Sequence, residues 1–192
     1  LFLIQFKALK KKWEWQNSFA KSKKISIDKE LVEKFLKSLP FELTEAQKKA
    51  AKEILIDLQK DHPMSRLLQG DVGSGKTVVA ALATLVTAKS GYQTAVMAPT
   101  EILARQHEQT LAKFLDPFGI KISFISGGMK TKDKNRIIED LKTGKCSLVI
   151  GTHALIQEKI GFKNLGLAIV DEQHRFGVKQ RATLKTHGSP HL

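Results

Sequence analysis

The feature that most constrains the fold of this chain is a glycine-rich loop, RLLQGDVGSGKT at residues 66–77. An apolar run, a loop matching GxxxxGK(S/T) and a helical pattern follow one another, which is the order of a phosphate-binding loop. Its glycines let backbone N–H groups converge on phosphate oxygens, and the start of the next helix adds positive potential. The candidate nucleotide-binding residues of this loop are Gly70, Asp71, Val72, Gly73, Ser74, Gly75, Lys76 and Thr77.

The last two residues of the loop have distinct expected roles. Lys76 would reach the β- and γ-phosphates of a nucleoside triphosphate, and the hydroxyl of Thr77 would bind Mg²⁺. A chance match in a glycine-rich turn is the alternative, but the apolar run before the loop and the helical pattern after it favour a nucleotide site. The loop alone does not choose between a kinase, a GTPase and a motor.

Short apolar segments alternate with helical patterns from residue 66 onward. Strands are predicted near 66–69, 94–98, 121–126, 147–150 and 167–170, and helices near 76–89, 101–114 and 131–142. Strands that are almost wholly apolar and separated by helices are typical of a parallel sheet covered on both faces. The expected fold class is therefore α/β.

An acidic pair follows the last predicted strand, in the stretch LGLAIVDEQH. Ligands bind at the carboxyl ends of strands in open α/β sheets, so Asp171 and Glu172 are delivered to the binding edge. Asp171 suits a Mg²⁺ ligand, and Glu172 is placed to orient or deprotonate an attacking water. The pair therefore predicts hydrolysis and argues against a small-molecule kinase. A GTPase would normally carry an NKxD element that reads guanine, and the sequence has none after the phosphate loop. An acidic pair that merely ends a strand is the structural alternative.

The charge balance favours a polyanionic partner. Lys and Arg number 32 against 19 Asp and Glu, for a net charge of +13. Nucleic acid is the usual partner of such a surface, and a basic but solvated surface is the alternative. No apolar run approaches the roughly 20 residues of a membrane-spanning helix, and the one cysteine, Cys146, is expected to be a buried thiol. We therefore expect a cytoplasmic setting with no membrane partner.

The N-terminal segment differs from the rest of the chain. It is rich in lysine, and Phe2, Phe6, Leu9 and Trp13 form an apolar stripe at helical spacing. Packing on a neighbouring domain or on the core explains the stripe, and binding of nucleic acid by lysines and aromatics together is the alternative. Two capped helices are predicted next, in SIDKELVEKFLKSLP and, with Thr44 as its cap, in LTEAQKKAAKEILIDLQK.

Four stretches together carry a resemblance to a known family. GDVGSGKT, MAPTEILARQH, GTHALI and VDEQHRFGVKQR occur in this order and resemble motifs I, Ia, Ib and II of the second helicase superfamily. Their wording is similar to that of the RecG-type ATP-dependent DNA helicases, over about residues 38–192. The runner-up is the transcription–repair coupling translocase family, which shares RFGV but usually lacks PTEILARQH. The resemblance implies a RecA-like lobe at 38–192 that uses ATP and Mg²⁺, preceded by a helical extension at 1–37.

The resemblance also implies roles beyond the phosphate loop. Gln47, in FELTEAQ, would read the adenine base, and Phe41 would lie against it. A polar group on a helix beside a core aromatic is the alternative for that pair. His174, in DEQH, would couple the hydrolysis site to the DNA-binding edge.

A DNA-binding edge is implied by the motifs that follow the other strands. The implied residues are Pro99, Thr100, Glu101, Arg105, Gly127, Gly128, Thr152 and His153. Hydroxyls and helix N-terminal amides can hold DNA phosphates without reading sequence, and glycines allow the backbone of DNA to approach closely. Helix packing for Arg105 and tight turns for the glycines are the alternatives.

Family members carry parts that lie beyond this sequence. A second RecA-like lobe supplies an arginine worth about 10³–10⁵ in rate, and a wedge domain recognises the DNA branch. The resemblance thus implies a bacterial monomer acting on branched or duplex DNA, of which this chain alone would bind Mg·ATP weakly and hydrolyse it poorly. An autonomous P-loop ATPase or kinase, and a basic nucleic-acid-binding module with an idle nucleotide site, stay open.

Overall fold

A four-stranded parallel sheet with helices around it forms the centre of the fold. The structure, a computed structural model, describes residues 23–71, 73–156, 160–176 and 190–192. Its helices are α1 (Lys29–Ser38), α2 (Glu45–Leu58), α3 (Lys76–Lys89), α4 (Glu101–Leu115) and α5 (Thr131–Thr143). Its strands are β1 (Gln93–Met97), β2 (Ile122–Ile125), β3 (Leu148–Gly151) and β4 (Leu165–Val170), in the order β2-β3-β1-β4.

Both faces of the sheet are buried, because successive residues of each strand point to opposite sides. In β1, Val96 belongs to an apolar cluster with helices α1–α4, whereas Ala95 and Met97 belong to a second cluster with Leu141 of α5. This explains why the strands read as continuous apolar runs rather than alternating ones. The predicted α/β class, with a parallel sheet covered on both faces, is confirmed.

Helix α3, which follows the phosphate loop, is buried almost all round. It contacts α1, α2, α4 and strands β1 and β4, so a polar face along its length would be costly. Its sequence KTVVAALATLVTAK accordingly has charges only at its two ends. The loop before it is therefore attached to the most buried of the described helices.

The element boundaries agree with the sequence prediction to within two residues for four strands and three helices. The capping prediction for α2 is also confirmed, because the Thr44 hydroxyl accepts from the Gln47 N–H and the Gln47 side chain accepts from the Thr44 N–H. The predicted stripe at Phe2–Trp13 lies outside the described residues. Ile25 and Phe35 pack in the same apolar cluster as α3. The division of the chain into an extension at 1–37 and a lobe at 38–192 stays a prediction.

The strand predicted at 66–69 is wrong. Among the described residues, its backbone pairs only where the Arg66 N–H donates to the Leu192 carbonyl at 3.0 Å, and Leu67 is 65% exposed. His191 in turn pairs with β4, since the Ala168 N–H donates to its carbonyl at 2.7 Å. An apolar run forms a strand only where a neighbouring backbone pairs along its length, and here residues 190–192 supply one residue of pairing.

The buried ring of His191 joins three segments of the chain. Its Nδ1 accepts from the Met64 N–H at 3.1 Å, and its Nε2 lies 3.0 Å from the Lys23 carbonyl. A carbonyl only accepts, so Nε2 carries the proton and the ring is neutral. Burial lowers the pKa of His191, which follows from the cost of charging a ring enclosed in the fold.

In the part of the chain that the structure describes, no helix is long and apolar enough to cross a membrane. Its helical segments are α1–α5 and the 3₁₀ turns at Asp116–Phe118, His153–Ile156 and Gln173–Arg175. The longest of these helices has 15 residues, which is shorter than the roughly 20 that a bilayer needs.

Acidification is expected to weaken the fold through His191. The pKa of this ring is lowered from 6.5, so below that pH the unfolded chain takes up a proton that the folded chain resists. The contribution of neutral His191 to the free energy of unfolding is complete above pH 6.5. It is lost as the pH falls from 6.5 through the lowered pKa of the folded state, by at most about 1.4 kcal/mol per pH unit. The free energy of unfolding in urea, measured across this range, tests it.

The matched variants separate His191 from other groups. His191→Gln should flatten the pH dependence of the free energy of unfolding, whereas His153→Gln, at an exposed position, should leave the slope nearly unchanged. A wild-type free energy of unfolding that does not fall below pH 6.5 would contradict the assignment.

Candidate functional site

The site lies where the carboxyl ends of neighbouring strands meet the start of α3. The Asp171 N–H donates to the Met97 carbonyl at 2.9 Å, and the Ala98 N–H donates to the Gly151 carbonyl at 2.9 Å. These bonds join the ends of β4, β1 and β3 in one row. Lys76 is close enough that its charge contributes to the pKa of Asp171. The phosphate loop and the acidic pair thus share one edge of the sheet, although Lys76 and Asp171 are 95 residues apart in sequence.

The phosphate loop needs its glycines for backbone shape and for space. Gly73 and Gly75 have φ of 83° and 74°, the left-handed region that favours glycine. A Cβ on Gly75 would also collide with the side-chain amide of Gln47. Val72 lies outside the described residues. The remaining loop residues form a turn that leads into α3, as the motif predicts.

The ammonium group of Lys76 is held inside the loop. Its Nζ donates to the carbonyls of Gly70 and Asp71, each at 2.7 Å. The lysine therefore folds back over the loop, at the N-terminus of a 14-residue helix. This concentrates positive charge where phosphate oxygens would bind, and those oxygens would replace the carbonyls as acceptors.

Gln47 reaches the phosphate loop from α2. Its Nε2 donates to the Ser74 carbonyl at 2.9 Å, while its Oε1 accepts from the Thr44 N–H. Phe41 is 46% exposed, and its ring meets Phe114 edge-on at 6.3 Å. The structure therefore brings Gln47 to the nucleotide site and leaves part of the Phe41 ring open. Adenine contact by the two residues stays a prediction.

Asp171 has a partner on each carboxylate oxygen. Oδ1 accepts from the Glu172 N–H at 2.9 Å, and Oδ2 lies 2.7 Å from the Nε2 of His107. The hydrogen bond from His107 is the largest influence on this carboxyl and lowers its pKa, against the opposing effect of burial. Asp171 is therefore held in its anionic form.

Glu172 adopts a strained backbone conformation. Its φ is 46° and its ψ is 51°, and among the described residues it is the one non-glycine residue with a positive φ. Holding a non-glycine residue in this conformation costs of order 1–3 kcal/mol. Its Oε2 lies 2.7 Å from the Nε of Arg175, an ion-pair distance without the angle of a hydrogen bond. This left-handed residue lies in the turn that follows the end of β4.

The donor set fits Mg²⁺ that arrives with a nucleotide. No group of three or more His, Cys, Asp or Glu side chains able to hold a metal occurs within the described residues. Mg²⁺ usually takes one or two protein ligands together with substrate phosphates and waters, rather than a cage of side chains. Asp171 and the Thr77 hydroxyl, in the first turn of α3, match that pattern.

The other motif residues follow strand ends on the same edge. Thr100 caps α4, since its hydroxyl accepts from the Leu103 N–H at 3.3 Å, and it is flanked by Pro99 and Glu101. The ring of His153 packs against Phe176 at 4.9 Å, next to Thr152. His174 lies in the 3₁₀ turn Gln173–Arg175, and its side chain falls outside the described part of the structure.

Gly127 and Gly128 follow β2, and nothing in the described chain requires glycine there. Neither has a positive φ, and a Cβ on either would meet no atom within 4 Å. Both are exposed. The two residues do lie in a turn, as the tight-turn alternative expects, but neither crowding nor a positive φ requires glycine in it, and open space lies over both.

Arg105 makes the contacts of the packing alternative. Its guanidinium lies 3.4 Å from the centre of the Phe124 ring and donates to Glu108 at 3.0 Å. A second carboxylate, that of Glu101, lies 3.9 Å away. A contact between Arg105 and DNA stays a prediction.

His107 is the site residue that sequence reasoning missed. No role is assigned to it from the sequence. A signal was present, since Ala104 and Leu111 are apolar and lie three residues before and four residues after it. That spacing places His107 on the buried face of the helix, where a polar ring requires a partner.

The comparisons with known proteins agree with this geometry. The DEAD/DEAH box helicase pattern matches residues 44–189. The "ATP-dependent DNA helicase RecG" of Aquifex aeolicus is 50% identical over 188 residues, covering 98% of this chain and 24% of that protein. Its counterpart from Thermotoga maritima is 50% identical over 190 residues, with 98% and 24% covered. The chain thus spans about a quarter of the length of the curated relatives it matches.

Solved structures show the same likeness. RecG bound to a three-way DNA junction matches with a TM-score of 0.84 at 48% identity, over 92% of this chain and 24% of that one. A hypothetical ATP-dependent RNA helicase from Sulfolobus tokodaii matches with a TM-score of 0.60 at 22% identity, over 83% and 46%, and shows the fold alone. With the helicase pattern matched over most of its length, the chain belongs to the DEAD/DEAH box helicase family.

Proposed function

We propose that this chain is the ATP-binding first motor lobe of a RecG-type DNA helicase, which remodels branched DNA at the expense of Mg·ATP. One observation carries the proposal. The phosphate loop with Lys76, the acidic pair Asp171–Glu172 and the open glycines after β2 belong to one edge of a parallel sheet. A motor needs its nucleotide and DNA sites on one rigid body, and the relatives named RecG support the choice of substrate.

The nucleotide is bound by groups that the structure already brings together. Backbone N–H groups of the loop and of the first turn of α3 would hold the phosphates, and Lys76 would exchange its two loop carbonyls for phosphate oxygens. Gln47, whose side-chain amide donates to the Ser74 carbonyl of the loop, would exchange a present contact for a hydrogen bond to the base. Thr77 and Asp171 would hold Mg²⁺, which supplies charge neutralisation at the phosphates when bound.

Hydrolysis would depend on Glu172. Its carboxylate would accept a proton from the water that attacks the terminal phosphate, while Lys76 holds the phosphate in place. The two carboxylates have different partners, His107 for Asp171 and Arg175 for Glu172, and they would have separate tasks. His174 would relay the state of this site to the DNA-binding edge.

DNA would be held by its phosphates rather than read by sequence. The start of α4 offers backbone N–H groups beside Thr100, and the space over Gly127 and Gly128 admits a sugar–phosphate chain. Thr152 follows the neighbouring strand and extends the same edge. The net charge of +13 would strengthen such contacts without specifying any base.

Complete function would require more than this lobe. The matched relatives are about four times as long as the chain, and we assign the remainder a second RecA-like lobe with a catalytic arginine and a wedge domain for the branch. In this division residues 38–192 form the lobe and 1–37 a helical connection. The chain alone would then bind Mg·ATP weakly and turn it over poorly, and the whole protein would act as a monomer in the bacterial cytoplasm.

Nucleotide binding should depend on Lys76. Lys76→Ala removes a charged donor from the phosphates, so the affinity for a fluorescent ATP analogue with Mg²⁺ should fall about 10- to 100-fold. Equilibrium fluorescence titration of the chain measures it. Lys52→Ala, at an exposed lysine of α2, is the charge-matched control and should bind like wild type. Equal affinities for wild type and Lys76→Ala would refute the nucleotide site.

Hydrolysis should be separable from binding at Glu172. In a protein that carries this lobe with the second one, Glu172→Gln should lower DNA-dependent phosphate release by about 10²- to 10⁴-fold, because a general base is lost. Its nucleotide affinity should stay close to the wild-type value. Glu139→Gln, at an exposed residue of α5, is the control. If Glu172→Gln turns over ATP normally, the carboxylate is not the base.

DNA binding should respond to charge on the proposed edge. Gly128→Asp puts a negative charge into open space, so the affinity for duplex and forked DNA should fall several-fold at low salt and less at high salt. Lys145→Gln changes the net charge equally but precedes β3, at the opposite edge, and should have the smaller effect. Fluorescence anisotropy measures both, and equal losses would indicate binding through net charge alone.

A further inference from the structure

A single contact ties helix α4 to the acidic pair. His107, two turns into α4, places its Nε2 2.7 Å from the Oδ2 of Asp171, across 64 residues of sequence. The two side chains are 23% and 34% exposed, so neither is freely solvated and the bond is not a loose surface pair. Asp171 ends a strand whereas His107 belongs to a helix, and both elements are well packed.

The geometry determines the direction in which the Asp171 carboxylate points. Oδ1 is taken by the Glu172 N–H and Oδ2 by His107, so one partner comes from the backbone beside Asp171 and the other from α4. An ionised carboxylate has about four acceptor positions, which leaves one on each oxygen. Rotation about the side-chain bond would break both contacts, and the two free positions are therefore oriented before any ligand arrives.

The same helix begins at the proposed DNA edge. Thr100 caps α4, and seven residues of helical rise, about 10 Å, separate it from His107. A shift of α4 would move His107 with it, since a regular helix of this length moves as a unit. The Asp171 carboxylate is thus held by an element that also carries Thr100 and Glu101.

We propose that His107 is a positioning residue that orients the Asp171 carboxylate toward Mg²⁺ from helix α4. The inference rests on the proposed nucleotide site and adds to it a residue outside the phosphate loop and the acidic pair. Hydrogen-bond partners of metal-binding carboxylates and imidazoles commonly change metal affinity by about 10- to 100-fold when they are removed. His107 would act on the metal through Asp171 and would not touch the metal itself.

The test is the Mg²⁺ dependence of nucleotide binding by the chain, with a fluorescent ATP analogue as the probe. His107→Ala should raise the Mg²⁺ concentration for half-maximal binding about 10-fold. Binding of the analogue in EDTA, where the loop and Lys76 act without metal, should stay at the wild-type level. In His107→Gln, whose amide can donate to Asp171, the Mg²⁺ concentration for half-maximal binding should return part of the way to the wild-type value. Gln109→Ala, at an exposed position of α4, is the control and should match wild type.

The outcomes distinguish this inference from the proposed function. An unchanged Mg²⁺ midpoint in His107→Ala, while Lys76→Ala still shows its expected loss of affinity, would overturn the inference and leave the nucleotide site standing. Equal losses of binding in EDTA and in Mg²⁺ would assign His107 a purely structural role and also overturn it. A wild-type chain that binds no analogue, with or without Mg²⁺, would remove the proposed function and this inference with it.

Discussion

The parallel pairing of β4 with β1 is the interaction on which the rest of the site depends. Val170 is in register with Met97, and the hydrogen bond from the Asp171 N–H to the Met97 carbonyl continues the ladder by one residue. This pairing brings the acidic pair beside the start of α4 and within electrostatic reach of Lys76. Since every strand runs in the same direction, each motif that follows a strand is delivered to this edge.

The charged groups of the site are held by the protein before a nucleotide binds. Lys76 donates to two loop carbonyls, Asp171 is bonded to His107, and Glu172 lies against Arg175. Partly buried charges are costly without partners, so a fold that concentrates them must supply some. In the function that we propose, binding of Mg·ATP would exchange one set of contacts for another, at Lys76 above all. Because hydrogen bonds are exchanged rather than created, the net gain per contact is modest.

The sequence predicted the regular elements well because their signals are local. The apolar runs of β1–β4 and the cap of α2 at Thr44 each involve residues within one element. The strand at 66–69 failed for the opposite reason, since a strand forms only if another backbone lies beside it, and an apolar run carries no information about its partner. His107 was missed because its partner lies 64 residues away on a different element.

By itself the sequence determined the α/β class, the phosphate loop, the order of the motifs and the acidic residues at a strand end. Periodicity, glycine spacing and residue chemistry are properties of short segments, and they survive without knowledge of the fold. Only the tertiary structure decided that Gln47 reaches Ser74, that Arg105 stacks on Phe124, and that His107 holds Asp171. These contacts depend on how the helices are placed against the sheet. That placement is set by the packing of the whole core, and no local sequence pattern encodes it.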